Sequence, residues 1–247
     1  MSIKNMLDFQ KILQYLAVLT LFGLIFNAIL ESEPEFEFAQ REVAKQTGAF
    51  LSFLGYNAGH YDYVVFASYG ANFEEIEKTL SVYGFQKSIY SGGVEFKVER
   101  IHPDWLKIVK EYVQTLRNKG EPVIGSDHVF YIQGKNLVEI QVIPNCVGWI
   151  GIFSICALII GYPGFNFRKK LNGLLVCIPI IYAVNILRLS VIAIAGAEYG
   201  FNVMDFVHTF LWKFLLLFVT ILLWYLWIKT DGFEIKEKNK KKRIVKK

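Results

Sequence analysis

Cysteine is scarce in this 247-residue chain, and ionisable side chains are nearly missing from four long stretches of it. The three cysteines, Cys146, Cys156 and Cys177, lie in or at the edge of apolar segments, and the polar region 31–143 has none. That excludes a disulfide framework as the source of the polar region's stability. There is no internal repeat, and the lysine-rich tail is the one low-complexity segment. No small-x-small cleavage site follows the first apolar run, so 12–30 reads as an anchor and not as a removed signal peptide.

What is present is apolar bulk. Hydrophobic residues make up 53% and aromatics 16%, with a mean hydropathy of +0.34, which points to a membrane protein. The four stretches, 12–30, about 144–162, about 171–196 and about 206–228, each approach the roughly 20 residues needed to cross a hydrocarbon core of about 30 Å. Charge is unevenly spread. Region 31–143 has 16 acidic and 11 basic residues, whereas nine cations sit in the tail 229–247. Lys4 and Lys11, the run Arg168-Lys169-Lys170, and the tail all fall on one side if the chain crosses four times. That side is cytoplasmic by the positive-inside rule, for both termini. Beside a span the tail is an anchor, and no nucleic-acid partner is expected. The expected fold class is an integral membrane α-helical protein of about four transmembrane helices, with an extracytoplasmic α+β domain inserted between helices 1 and 2. The domains expected are an anchor (1–30), the α+β domain ending in a β-hairpin (31–143), a three-helix membrane core (144–228) and the tail.

Within 31–143, Val43, Thr47, Phe50, Leu51 and Leu54 recur at helical spacing, predicting an amphipathic helix over 36–54 near the membrane. "YDYVVFAS" (61–68) reads as a strand, Asn72 and Glu75 as a capping-box start for a helix over 73–83, and Val94, Phe96 and Val98 as a strand after "SGG". A helix over 104–119 follows Pro103, and "HVFYIQ", "GKN" and "LVEIQVI" form a hairpin. The order β-α-β-β-α-β is that of a ferredoxin-like unit. The stretch 197–205 is expected to be an outer loop.

Ionisable groups inside a span are costly and are functional suspects by default. They are Arg188 in the third span and His208 and Lys213 in the fourth, joined by Cys146 at the outer edge of the second. Arg188 stands eight residues before Gly196, roughly 12 Å below the outer surface at 1.5 Å per residue. Cys, Arg and His therefore share the outer leaflet. A thiolate attacks a carbonyl carbon, an imidazole moves the proton, and a guanidinium stabilises an oxyanion. Asn185 lies three residues before Arg188 and can orient it, and Asp205 lies three before His208 and can hold the imidazole. Structural roles compete at each position. A cysteine in an apolar helix is often packing, preferred for Cys156 and Cys177; Arg188 can pair with Glu198 or snorkel; His208 can be a rim residue; Lys213 can snorkel.

"PNCVGWIGIF", "VNILRLS" and "DFVHTF", on three successive spans, resemble the exosortase/archaeosortase family of membrane-embedded cysteine transpeptidases. Its Cys-x-Gly, Asn-x-x-Arg and later basic residue fall on Cys146 with Gly148, Asn185 with Arg188, and His208. The resemblance covers about 128–228, with Val147 where Ser or Thr is frequent and fewer spans than many members have. It implies cleavage of the C-terminal sorting signal of secreted surface proteins through a Cys146 thioacyl intermediate, with Arg188 on the oxyanion and His208 as general acid/base. The implied partners are a protein bearing a motif, a transmembrane helix and a basic cluster, and a lipid or envelope acceptor. No cofactor or metal is called for. The outer domain is expected to select substrate. "PEF" (34–36) and "PGF" (163–165) resemble sorting tripeptides by coincidence. The alternative is a non-enzymatic membrane receptor with a ligand-binding outer domain. A transporter is disfavoured because the inner halves of the spans hold no ionisable residue, and hydrolysis with water as acceptor needs the same residues as transfer.

Overall fold

The computed structural model describes residues 20–21, 37–90, 92–162, 165–210 and 214–229. Most of the first span, Lys4, Lys11, Pro34, Pro163, Lys213 and the tail beyond 229 lie outside the described residues. Contacts divide the chain into two compact units. A sheet unit comprises Phe36–Val147 with Leu189–Asp205, and a helical unit comprises Gly148–Arg188 with the chain from Phe206 onward.

In the sheet unit, strands β1 (Asn57–Ser68), β2 (Gln86–Tyr90), β3 (Gly93–Val98), β4 (Val123–Gln133) and β5 (Leu137–Gln141) form one antiparallel sheet in the order β2-β3-β1-β4-β5. Helix α1 (Glu37–Phe53) precedes it, α2 (Phe73–Ser81) joins β1 to β2, and α3 (Pro103–Asn118) joins β3 to β4. The first four strands make the split βαβ pattern read from the sequence, and β5 extends the sheet beyond β4. Period-two alternation sends Tyr63, Val65 and Ala67 to one face, where they bury with Val94, Phe96 and Val98 against Ile76 and Leu80 of α2 and Val109, Val113 and Leu116 of α3. The Asn72 side chain caps α2. Its oxygen accepts from the Glu75 N–H at 3.4 Å while its amide donates to the Glu75 carboxylate at 3.2 Å.

The same alternation turns Asp62 and Val64 to the other face, where α1 packs on β1 and β4. The stripe Val43, Ala44, Thr47 and Leu51 is buried there. A Cβ on Gly48 would stand 2.5 Å from the Gly59 carbonyl oxygen, so α1 crosses β1 with backbone against backbone. The amphipathic pattern over 36–54 thus serves the sheet. The remaining piece, 189–205, comes from the end of helix α5 (Phe167–Tyr199) and the start of α6 (Phe201–Phe210). It docks on the β4–β5 hairpin: Asn136 N–H donates to the Ala197 carbonyl at 2.9 Å, and Lys135 Nζ lies 3.6 Å from the Glu198 carboxylate. The stretch 197–205, expected as a loop, is helical except at Gly200, whose φ of +89° breaks α5 from α6.

The helical unit packs α4 (Trp149–Gly161), the first two thirds of α5, and α7 (Leu216–Lys229) around Ile155, Ile159, Cys177 and Ile181, with Cys156, Trp224 and Trp227 against that core. Cys156 and Cys177 are packing residues. At 33 residues α5 is about 50 Å long, and among the described residues it is the one helix long and apolar enough to cross a bilayer. The 13 residues of α4 rise about 20 Å. Tyr162, Phe165, Trp224 and Trp227 form a connected aromatic group at one end of the unit. Lys169 Nζ lies 5.3 Å from the Phe165 ring centre. This is the composition of a membrane interface.

Candidate active site

Cys146 sits where a strand hands over to a helix. After β5 the chain enters a 3-10 turn, Pro144–Val147. Val142 N–H donates to the His128 carbonyl at 3.1 Å, and Cys146 N–H donates to the Ile143 carbonyl at 2.8 Å. α1 packs on this turn, and the cysteine is buried. Proline starts the turn because it lacks the N–H that a continuing ladder would require. Cys146 thus belongs to the sheet unit, four residues past the backbone bond that ties the chain to β4.

Gly148 opens the helical unit. Its φ is +85°, its carbonyl accepts from Gly151 N–H at 3.1 Å and from Ile152 N–H at 3.2 Å, and it stands at the N-cap of α4. A Cβ built there would lie 2.9 Å from Asn185 Cγ and 3.1 Å from Asn185 Cβ. Only glycine combines that dihedral with that closeness. The Cys-x-Gly and Asn-x-x-Arg motifs therefore meet, glycine backbone against asparagine side chain.

Asn185 and Arg188 lie three residues apart on α5, so they share a face with Ile181 and Ile192. Asn185 is 0% exposed and Arg188 1%, and Arg188 is among the largest fully buried side chains. A guanidinium at such depth in an apolar helix presents five donors in a fixed fork, a costly group to keep unless it works on an oxygen acceptor. Glu198, the carboxylate offered to Arg188 by the sequence, lies near Lys135.

His208 and Asp205 are both exposed on α6, one turn apart. His208 is in the last turn of that helix, which begins five residues before the expected start of the fourth span. Its ring has neither the burial of Arg188 nor that of Asn185.

Sequence reasoning missed a cluster in the sheet unit. Asp62, buried in mid-strand, accepts from Arg41 Nε at 3.0 Å, from Arg41 Nη2 at 2.7 Å and from Ile101 N–H at 3.1 Å. A charge inside the apolar run of β1 was the available signal. Nearby, Lys97 is buried 2.8 Å from Glu95 and bonded to Glu139, with the Tyr61 ring centre at 5.3 Å. Burial raises the Glu139 pKa, against the opposing pull of Lys97. Burial lowers the His60 pKa below its ordinary 6.5, against the opposing pull of Asp62. Among the described residues no group of three or more His, Cys, Asp or Glu has metal-binding geometry.

Residues 111–225 match the family described as transmembrane exosortase (Exosortase_EpsH). The matched stretch, just under half of the chain, is similar to the exosortase/archaeosortase family. The matched stretch runs from α3 into α7 and contains Cys146, Gly148, Asn185, Arg188, Asp205 and His208. Archaeosortase A of Haloferax volcanii is 40% identical over 70 residues, which is 28% of this chain and 23% of that protein. The match thus spans about a quarter of the length of the curated relative. No solved structure matches. The match to a transmembrane family, together with the spanning-length apolar helix α5, marks an integral membrane protein, and most of the sheet unit, before residue 111, lies outside the matched stretch.

Proposed function

We propose that this chain is a membrane protein-sorting transpeptidase that cleaves the C-terminal sorting signal of secreted proteins. Cys146 Sγ attacks the carbonyl carbon of the scissile peptide bond while His208 takes the thiol proton. Arg188 donates to the oxyanion that forms, and Asn185 holds the helix stripe against Gly148. The tetrahedral intermediate collapses, His208 gives its proton to the leaving amine, and a thioacyl enzyme remains. A lipid or envelope nucleophile then attacks the thioester. His208 accepts its proton and returns one to the departing thiolate, so the cysteine is restored. Water in the same place gives hydrolysis. Asp205 orients the imidazole. Both termini lie in the cytoplasm and the site lies at the outer leaflet, as the basic clusters and the aromatic group beside Lys169 support. A substrate anchored by its own terminal helix emerges from the bilayer at that level.

The observation that carries this proposal is the burial of Asn185 and Arg188 on one stripe of a spanning-length helix, inside the family-matched stretch that also holds Cys146 and His208. The test is processing of a co-expressed protein with a C-terminal motif, span and basic tail, comparing wild type with Cys146→Ala in membranes. Loss of processing in an inserted, abundant variant is expected. Undiminished processing would refute the nucleophile and leave a receptor.

A further inference from the structure

The sheet unit contains a cavity of about 190 Å³ lined by Phe38 and Arg41 of α1, Asp62 of β1, His128 of β4, and Ile101, Pro103 and Leu106. One wall is apolar and the other is charged. Asp62 takes the Nε–Nη2 edge of the Arg41 guanidinium, fixing its plane and leaving the Nη1 side for another acceptor. Asp62 is itself satisfied by Arg41 and the Ile101 N–H, so it serves to hold the arginine.

Two features mark this cavity as more than a packing defect. His128 adopts φ +52°, the one non-glycine residue with positive φ among the described residues. The β1–β4 pairing runs Tyr61↔Val129 and Tyr63↔Asp127 but skips the Asp62–His128 position between them. Strain and a broken ladder thus coincide at the cavity wall. The cavity is also tied to the nucleophile within one unit. The His128 carbonyl receives the Val142 N–H at the exit of β5, four residues before Cys146, and the helix that supplies Phe38 and Arg41 packs on the turn that carries Cys146.

We propose that this cavity is the specificity pocket for the extracytoplasmic segment of the polypeptide substrate. One apolar side chain enters against Ile101, Pro103 and Leu106, and a neighbouring carbonyl or carboxylate oxygen accepts from Arg41. The volume holds a side chain and a peptide unit and is below the about 300–1,000 Å³ that larger small-molecule ligands occupy. Phe38, largely exposed at the mouth, covers the chain as it leaves. The assignment of the ligand as substrate rests on the transpeptidase proposal.

The test uses the full chain in membranes. Photoreactive benzoylphenylalanine replaces Phe38 in the Cys146→Ala protein, which is co-expressed with the tagged sorting substrate. The crosslink is expected on the substrate segment preceding its membrane helix. Leu106→Trp fills the cavity and leaves the Arg41–Asp62 pair in place. It should reduce the crosslink about tenfold and, with Cys146 intact, raise the substrate level needed for half-maximal processing by a similar factor while the maximal rate changes little. Alkylation of Cys146 in the Leu106→Trp protein reports that the fold around the thiol survives. No crosslink, a crosslink to lipid alone, or processing and crosslinking that Leu106→Trp leaves unchanged would overturn the pocket. Processing that survives Cys146→Ala would instead defeat the transpeptidase proposal, and a substrate crosslink at position 38 would still define a peptide-binding site.

Discussion

Gly148→Ala offers a graded test of how the two motifs meet. Its cost has two separable parts. At φ +85° an alanine pays about 1–2 kcal/mol for the left-handed backbone. Its Cβ must also displace Asn185, whose Cγ lies at 2.9 Å, Cβ at 3.1 Å and Nδ2 at 3.2 Å, and whose residue is fully buried. Overpacking of this kind costs about 1–3 kcal/mol, so the sum is about 2–5 kcal/mol. Gly84→Ala supplies the control. It has a similar φ of +81° but nothing within 4 Å of the new Cβ, so only the backbone part applies. The assay compares the thermal stability of purified proteins in detergent with their processing rate. Gly148→Ala should be clearly less stable than Gly84→Ala and should process poorly, because the start of α4 shifts two residues after Cys146. Adding Asn185→Ala removes the closest atom and should recover part of the stability as a favourable coupling. A Gly148→Ala protein as stable and as active as Gly84→Ala would refute the contact.

Arg188→Lys keeps the charge but loses the planar fork, and processing should fall by about 10²–10³-fold at unchanged abundance, read by pulse-chase. Leu80→Ala, at a fully buried position on α2, should destabilise the sheet unit by about 2–5 kcal/mol, seen as faster limited proteolysis of 37–147. The lowered pKa of His60 means that its neutral form is the one the fold favours. Its contribution is therefore present above the ordinary value of 6.5 and is lost as pH falls below it. His60→Asn should flatten the pH dependence of sheet-unit stability below about 6.5, measured by proteolysis across pH.

Much of the sheet unit was legible because its signals are local. The helical spacing over 36–54 became Glu37–Phe53, the Asn72–Glu75 cap stands as read, and the hairpin follows "GKN". β1 begins four residues earlier than its alternation revealed, since "NAGH" resembles a loop. Gly59 sits there because the Tyr131 ring of β4 leaves no room for a side chain, a tertiary fact with no local trace. The region 197–205 misled for the opposite reason. Only Gly200 breaks the helix there, and the residues on either side of it are helical. At the site, spacing along one helix placed Asn185 beside Arg188, whereas the Gly148–Asn185 contact and the Arg41–Asp62 pair link positions far apart in the chain. The burial of Arg188 followed from its apolar neighbours, and the exposure of His208 did not.

The docking of 189–205 on the β4–β5 hairpin bears on how such a protein can be inherited and rebuilt. The sheet unit is not a self-contained insert between two anchors. Its hairpin tip is completed by Ala197 and Glu198, and the Val138 side chain lies against the position of Gly196. Cutting the chain at 147 to obtain a soluble fragment would strip the tip of that cover and expose Val138. Transplanting the unit into a relative would fail unless the distal end of α5 travelled with it. Changes at 134–138 and at 196–198 should therefore accumulate together during divergence, tying the sheet unit to the same helix that carries Arg188.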